Sequence, residues 1–183
     1  MRTYTTFLVR TNKPQSMRSC IPMAQFTLIL FFLLLSSCVS VNLGAGKSEK
    51  AADISFSEPS APYTSSKDSV SDRLWTSSKT GNSISYLSEC TLKSDPSLEV
   101  LQNDYTSVLK NSEVIKSEFV RFNQREGIRF QSKGTLDGIA VKFESLIFKK
   151  NNCNYTLTYG GREKSFESEK KYFDQFLQDF VVP

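Results

Sequence analysis

The chain has 183 residues, 39% of them hydrophobic, with 14 Phe and no His, which suits one packed domain rather than two. Its formal charge of +4 comes from residues 1–37, where Arg2, Arg10, Lys13 and Arg18 stand without an acid; the remainder carries 19 basic and 19 acidic residues. A neutral remainder without a basic block lacks the footprint of a nucleic-acid binder. The missing His removes Ser-His and Cys-His nucleophile pairs and His-ligated zinc, leaving Ser-Lys pairs and carboxylate chemistry open.

Residues 26–35 are apolar apart from Thr27. Ten residues cannot span roughly 30 Å of hydrocarbon, which needs about 20. The length is that of a signal-peptide apolar region, with basic residues before it and small residues after it. Leu35-Ser36-Ser37-Cys38 matches a lipobox. Residues 1–37 are therefore expected to be a lipoprotein signal peptide, and Cys38 the lipidated residue. Translation is expected to start at Met17 or Met23, which makes residues 1–16 an extension. Several acyl chains, at ~0.8 kcal/mol per CH₂, hold a protein where one chain would not. Val39 stands where an Asp would signal inner-membrane retention, which points to the outer membrane, facing the periplasm or the cell surface.

Residues 39–71 hold nine Ser with Gly44, Gly46, Pro59 and Pro62 and show no periodicity. They are expected to be a disordered tether, with an r.m.s. reach of about 30 Å and an extended reach of about 110 Å. Gly44-Ala45-Gly46-Lys47-Ser48 ends like a phosphate-binding loop, but Val41 stands where the first Gly is needed.

The folded domain is expected over residues 72–183. Residues 73–77 and 83–89 read as strands joined by a turn at Lys79-Thr80-Gly81-Asn82. A helix is predicted to open at Ser94-Asp95-Pro96, capped by Asp95, with Leu98, Leu101, Tyr105 and Val108 as its apolar stripe and Lys110 at its dipole's favourable end. Strands follow at 113–122 and 128–133, around a turn at 123–127. Asp137-Gly138 is a hairpin signal before a strand at 139–148, apolar on both faces. After Asn151-Asn152, residues 153–159 alternate strictly, with Cys153, Tyr155, Leu157 and Tyr159 on one face. Gly160-Gly161 is expected to end the sheet. A helix over 166–180 carries Phe173, Phe176, Leu177 and Phe180 on one stripe, with Glu167 and Glu169 in its first turn. The prediction is an α+β fold, an antiparallel sheet of about six strands packed by two helices in the order β-β-α-β-β-β-β-α.

This order, with the Asp137-Gly138 hairpin, the 153–159 strand and a last helix ending in Phe180, resembles the PsbP-like fold. That fold is a small α+β domain of photosynthetic assembly proteins and of many bacterial lipoproteins. The resemblance runs from Arg73 to the C-terminus and implies a non-catalytic binding or assembly role. It transfers no functional residue.

Four cysteines divide by position. Cys20 leaves with the leader and Cys38 is lipidated. Cys90 and Cys153 remain, an even pair in an oxidising envelope. A disulfide between them would close a loop of about 62 residues; two separate buried thiols, or metal binding or catalysis, are the alternatives. Trp75, Tyr86 and Tyr105 are candidate ligand contacts, against the reading of such aromatics, with Tyr155 and Tyr159, as core. Arg121, Arg125, Arg129, Lys133, Lys142, Lys149 and Lys150 could meet lipid headgroups or an anionic partner. With Glu113, Glu118, Glu126 and Glu144 between them, they read first as a solvated face. Glu167, Glu169, Asp174 and Asp179 read as a solvated helix surface, and no paired-carboxylate site is visible.

No catalytic residue, metal site or cofactor is expected. The predicted function is a lipid-anchored, non-enzymatic envelope module, attached to the membrane through its anchor and holding an envelope protein or small ligand as a monomeric domain. The alternative is a lipid- or solute-handling accessory of an envelope transport system; a hydrolase is disfavoured by the missing His. A chamber lined by the aromatics would favour the alternative, and a filled core with an exposed apolar patch the protein partner.

Overall fold

A computed structural model describes residues 49–67, 70–91 and 94–183. The leader, Cys20, Cys38 and the Gly44–Ser48 run lie outside them. No described helix is long and apolar enough to cross a membrane.

Seven strands form one antiparallel sheet. They are β1 (Tyr63–Ser66), β2 (Arg73–Ser77), β3 (Ser83–Cys90), β4 (Lys110–Phe122), β5 (Arg125–Leu136), β6 (Ile139–Lys150) and β7 (Cys153–Arg162), in the spatial order β1-β2-β3-β7-β6-β5-β4. Helix α1 (Leu98–Thr106) joins β3 to the far edge strand β4, and α2 (Phe166–Asp179) follows β7.

The meander β4–β7 is made by three two-residue turns, Asn123-Gln124, Asp137-Gly138 and Asn151-Asn152. All six residues have positive φ, between 49° and 80°. Such turns match the right-handed twist of the strands they join, and Asn, Asp and Gly tolerate that backbone best. The turn expected over 123–127 is thereby shortened to two residues, and β5 begins at Arg125.

Alternation on β5–β7 divides the core between the helices. Ile128, Phe130 and Ile147 pack with Leu98, Leu101 and Tyr105 of α1. On the other face Leu146, Phe148, Tyr155, Leu157 and Tyr159 pack with Phe166, Phe173, Phe176, Leu177 and Phe180 around α2, joined by Trp75, Ile84 and Tyr86. Strand β6 is covered on both sides, as its two apolar faces predict. Cys90 and Cys153 lie opposite each other across β3 and β7 and are joined by a disulfide.

Four expectations are corrected. Part of the segment read as a tether belongs to the fold. Tyr63–Ser66 pairs with β2, Ser55 and Val181 exchange backbone hydrogen bonds at 2.9 and 2.7 Å, and Lys50 pairs with Asp72. Phe56 sets its ring 5.3–6.1 Å from Trp75, Tyr86, Phe176 and Phe180. The first helix starts later than expected. Ser97, not Asp95, caps it, accepting from Val100 N at 3.3 Å, while Asp95 pairs with Lys149. It also ends sooner, so Val108 is 65% exposed and Lys110 opens β4. Finally, Gly160-Gly161 does not end the sheet. A Cβ on Gly160 would lie 2.4 Å from the Phe143 ring, and one on Gly161 2.0 Å from Asn82 Oδ1. These glycines are there because side chains cross β7 at that point, not because the strand stops.

Candidate functional site

A groove of about 760 Å³ lies between the last two turns of α2 and strands β4, β5 and β6. Val120 and Phe122 of β4 form one wall, Leu177, Gln178 and Phe180 the other, and Leu146 the floor. The Phe122 ring lies 5.1 Å from Phe148, which fixes that wall on the core. β4 is the sheet's edge strand and carries exposed Val114, Ile115 and Phe119. Register shifts between Lys110 and Glu113, and between Val114 and Lys116, mark bulges, which blunt an edge against strand-to-strand aggregation.

Both ends of the groove are tied. At one end Asn123 Nδ2 donates to Phe180 O at 3.0 Å, and Asn123 Oδ1 accepts from Val182 N at 2.9 Å. At the other, Arg129 Nη2 on β5 donates to Asp174 Oδ1 on α2 at 2.6 Å. Arg129 also donates from Nε to Glu144 Oε1 at 2.7 Å and pairs with that oxygen through Nη2. Gln131 Nε2 reaches Glu144 Oε2 at 2.7 Å, and Lys170 Nζ lies 3.3 Å from the same oxygen and 3.0 Å from Asp174 Oδ2. Burial opposes the charge of Arg129, but its hydrogen bond to Asp174 and the field of Glu144 more than offset this and raise its pKa. Burial likewise opposes the charge of Asp174, and hydrogen bonds from Lys170 and Arg129 outweigh it, holding the carboxyl below its usual value.

A carboxyl whose pKa is lower folded than unfolded adds stability above its unfolded value of ~3.9, and that stability is lost as pH falls through the folded pKa. Asp174→Asn should therefore cost about 0.5–1 kcal/mol at neutral pH, the scale of a partly exposed networked pair. The difference in melting temperature from the parent should shrink as pH is lowered below about 4. Thermal melts of both chains across that range measure it; a constant difference would show that the Asp174 charge is not what links α2 to β5.

Glu144 and Glu169 depart from the solvated faces expected for them. Glu144 is 2% exposed under α2, satisfied by Arg129 and Gln131. Glu169 is 4% exposed and accepts from Tyr63 OH at 3.2 Å, Ser77 Oγ at 3.0 Å and Thr80 Oγ1 at 2.5 Å. This cluster fastens β1 and β2 to α2. Burial pushes the Tyr63 phenol above its usual range, and that of Tyr159 up to about 12, so neither is a base near neutral pH. Both carboxylates spend their acceptors on the fold. The basic residues scatter: Lys133 pairs with Glu113 at 3.0 Å and Lys142 with Glu167 at 2.6 Å.

The aromatic ligand candidates do not converge. Trp75, 1% exposed, and Tyr86, 7% exposed, are α2-side core. Tyr105 is on the other face, donating to Thr158 Oγ1 at 2.8 Å. None lines the groove. Among the described residues no three of Cys, Asp and Glu stand together as a metal would need.

No protein-family model matches the chain, and no curated protein sequence does. Solved structures do. The solution structure of cyanobacterial PsbP (CyanoP) from Synechocystis sp. aligns with a TM-score of 0.53 at 14% identity, covering 82% of this chain and 99% of that one. The crystal structure of LpqN, involved in cell envelope biogenesis of Mycobacterium tuberculosis, aligns with a TM-score of 0.57 at 8% identity, covering 75% and 88%. The chain has a PsbP-like fold; identities this low speak for the fold alone.

Proposed function

We propose that the chain is a lipoprotein anchored by acylated Cys38 to the outer membrane, facing the periplasm, and that its domain is a non-enzymatic binding or assembly module. The bound element is an apolar segment of another envelope protein, held in the groove between β4 and α2. The observation that carries this reading is the groove: Leu146, Val120, Phe122, Leu177 and Phe180 give it an apolar strip inside a polar rim, tied at both ends, next to an edge strand with Phe119 53% exposed. The Arg121 guanidinium at the rim has no hydrogen bond or ion pair among the described residues, so a carboxylate beside the partner's apolar residue would complement it. The likeness to LpqN, itself involved in envelope biogenesis, supports the compartment. A lipid- or solute-handling role is less well served, because Trp75 and Tyr86 fill the core instead of lining a chamber.

The test combines anchor and groove. Cys38→Ser should abolish palmitate labelling and move the protein out of the membrane pellet. Gln178→Trp should leave it in the pellet but lower the partner recovered with it about tenfold, the effect of ~1.4 kcal/mol. Undiminished recovery with Gln178→Trp would refute the groove as the binding site.

A further inference from the structure

Another concavity, of about 320 Å³, opens at the end of the sheet where β6 turns into β7. Its walls carry Arg125, Lys149 and Lys150 against one carboxylate, Asp95, which pairs with Lys149. The Arg125 guanidinium has no hydrogen bond or ion pair among the described residues, and Lys150 Nζ donates to the neutral Val182 carbonyl at 2.6 Å. Asn154 lines the same pocket, is 7% exposed, and its Nδ2 has no hydrogen-bond partner. A buried donor left unpaired is costly, so an acceptor belongs there. The excess of cations around it selects an anionic one, and phosphate suits both the fork of a guanidinium and an ammonium.

The chain enters the fold at this same end. Cys90 N donates to Glu49 O at 2.9 Å and Thr91 N to Asn152 O at 3.2 Å, and Asn152 and Cys153 line the pocket. The segment from Cys38 to Glu49 can reach at most about 40 Å when extended. An anchor at Cys38 would therefore keep this end of the domain within about 40 Å of the bilayer.

We infer that this pocket binds the phosphate group of an anionic lipid headgroup, with Arg125 and Lys150 as its cations and Asn154 Nδ2 as a hydrogen-bond donor. The lipid as the source of the phosphate rests on the proposed anchorage; the phosphate site does not. The test uses the processed chain beginning at position 38, with Cys38→Ser so that no acyl chain contributes. Two probes are applied: vesicles of equimolar phosphatidylglycerol and phosphatidylcholine against pure phosphatidylcholine, and inorganic phosphate followed by the side-chain amide signal of Asn154.

The expected result is cosedimentation with the anionic vesicles only, lowered about fivefold by each of Arg125→Gln and Lys150→Gln. Phosphate should shift the Asn154 signal, while the near-ultraviolet spectrum of each variant stays that of the parent. A phosphate response without vesicle binding would support the anion site and overturn the lipid as its source. Vesicle binding that survives both substitutions, or an Asn154 signal unmoved by phosphate, overturns the inference. Palmitate labelling of Cys38 in cells reads the anchorage separately, so its failure cannot be mistaken for failure of the pocket.

Discussion

Replacing Cys90 and Cys153 by Ala lowers the unfolding free energy by about 4 kcal/mol, the chain-entropy value for a loop of this length. The two residues face each other across β3 and β7, 63 positions apart in the chain. β3 pairs with β7 only after the chain has crossed through α1 and the whole β4–β6 meander. The bond shortens that search, and without it the unfolded chain has more freedom to lose. Denaturant midpoints of the oxidised chain and the double variant measure the difference. Equal midpoints would mean that the β3–β7 pairing holds without the covalent link.

Phe56→Ala should cost about 3 kcal/mol, the range for a large aromatic truncated in a core. Phe56 stands on a segment with no helix or strand of its own, yet its ring meets four others. A chain cut to begin at Asp72 also loses the hydroxyl that Tyr63 gives to buried Glu169 and the Ser55–Val181 pairing at the end of α2. That truncation should lose its near-ultraviolet signal at a temperature where the longer chain keeps it. A truncated chain as stable as the parent would restore the tether to its full expected length and detach residues 49–66 from the core.

What could be read in advance was what neighbours in the chain decide. Asp137-Gly138 sets its turn through the backbone of those two residues, and the Cys153–Tyr159 alternation put Tyr155, Leu157 and Tyr159 on the α2 face, although Asn154 and Thr158 on its other face are buried as well. The Phe spacing of α2 placed its buried stripe. What was hidden depends on distant partners. Tyr63–Ser66 is four residues in a Ser- and Pro-rich stretch, too short to show a period, and becomes a strand because β2 offers an edge. Glu144 and Glu169 look like surface charges until Arg129 and the Tyr63, Ser77 and Thr80 hydroxyls are brought to them. The groove has no local signature at all. Val120 and Leu177 form its walls from elements 57 positions apart in the chain, and only the path of α2 over β5 brings them together.

The division of the sheet's faces also shapes how the domain can be used. The face under α1 is closed by Leu98, Leu101 and Tyr105. The α2 face is closed over β3 and β7 and open over β4. The opening runs from the Asn123-Gln124 turn, at the same end of the sheet as the disulfide but across it on β4, toward Arg129. Its outer wall is the edge strand β4, and that side is the approach a second envelope protein would take.

Photo-crosslinking in living cells tests this most directly, with a photoreactive residue at Gln178 in the groove or at Asn103 on the exposed side of α1. The account predicts one discrete adduct with an envelope protein from Gln178 and none from Asn103. No adduct from Gln178, or the same adduct from both positions, would contradict it.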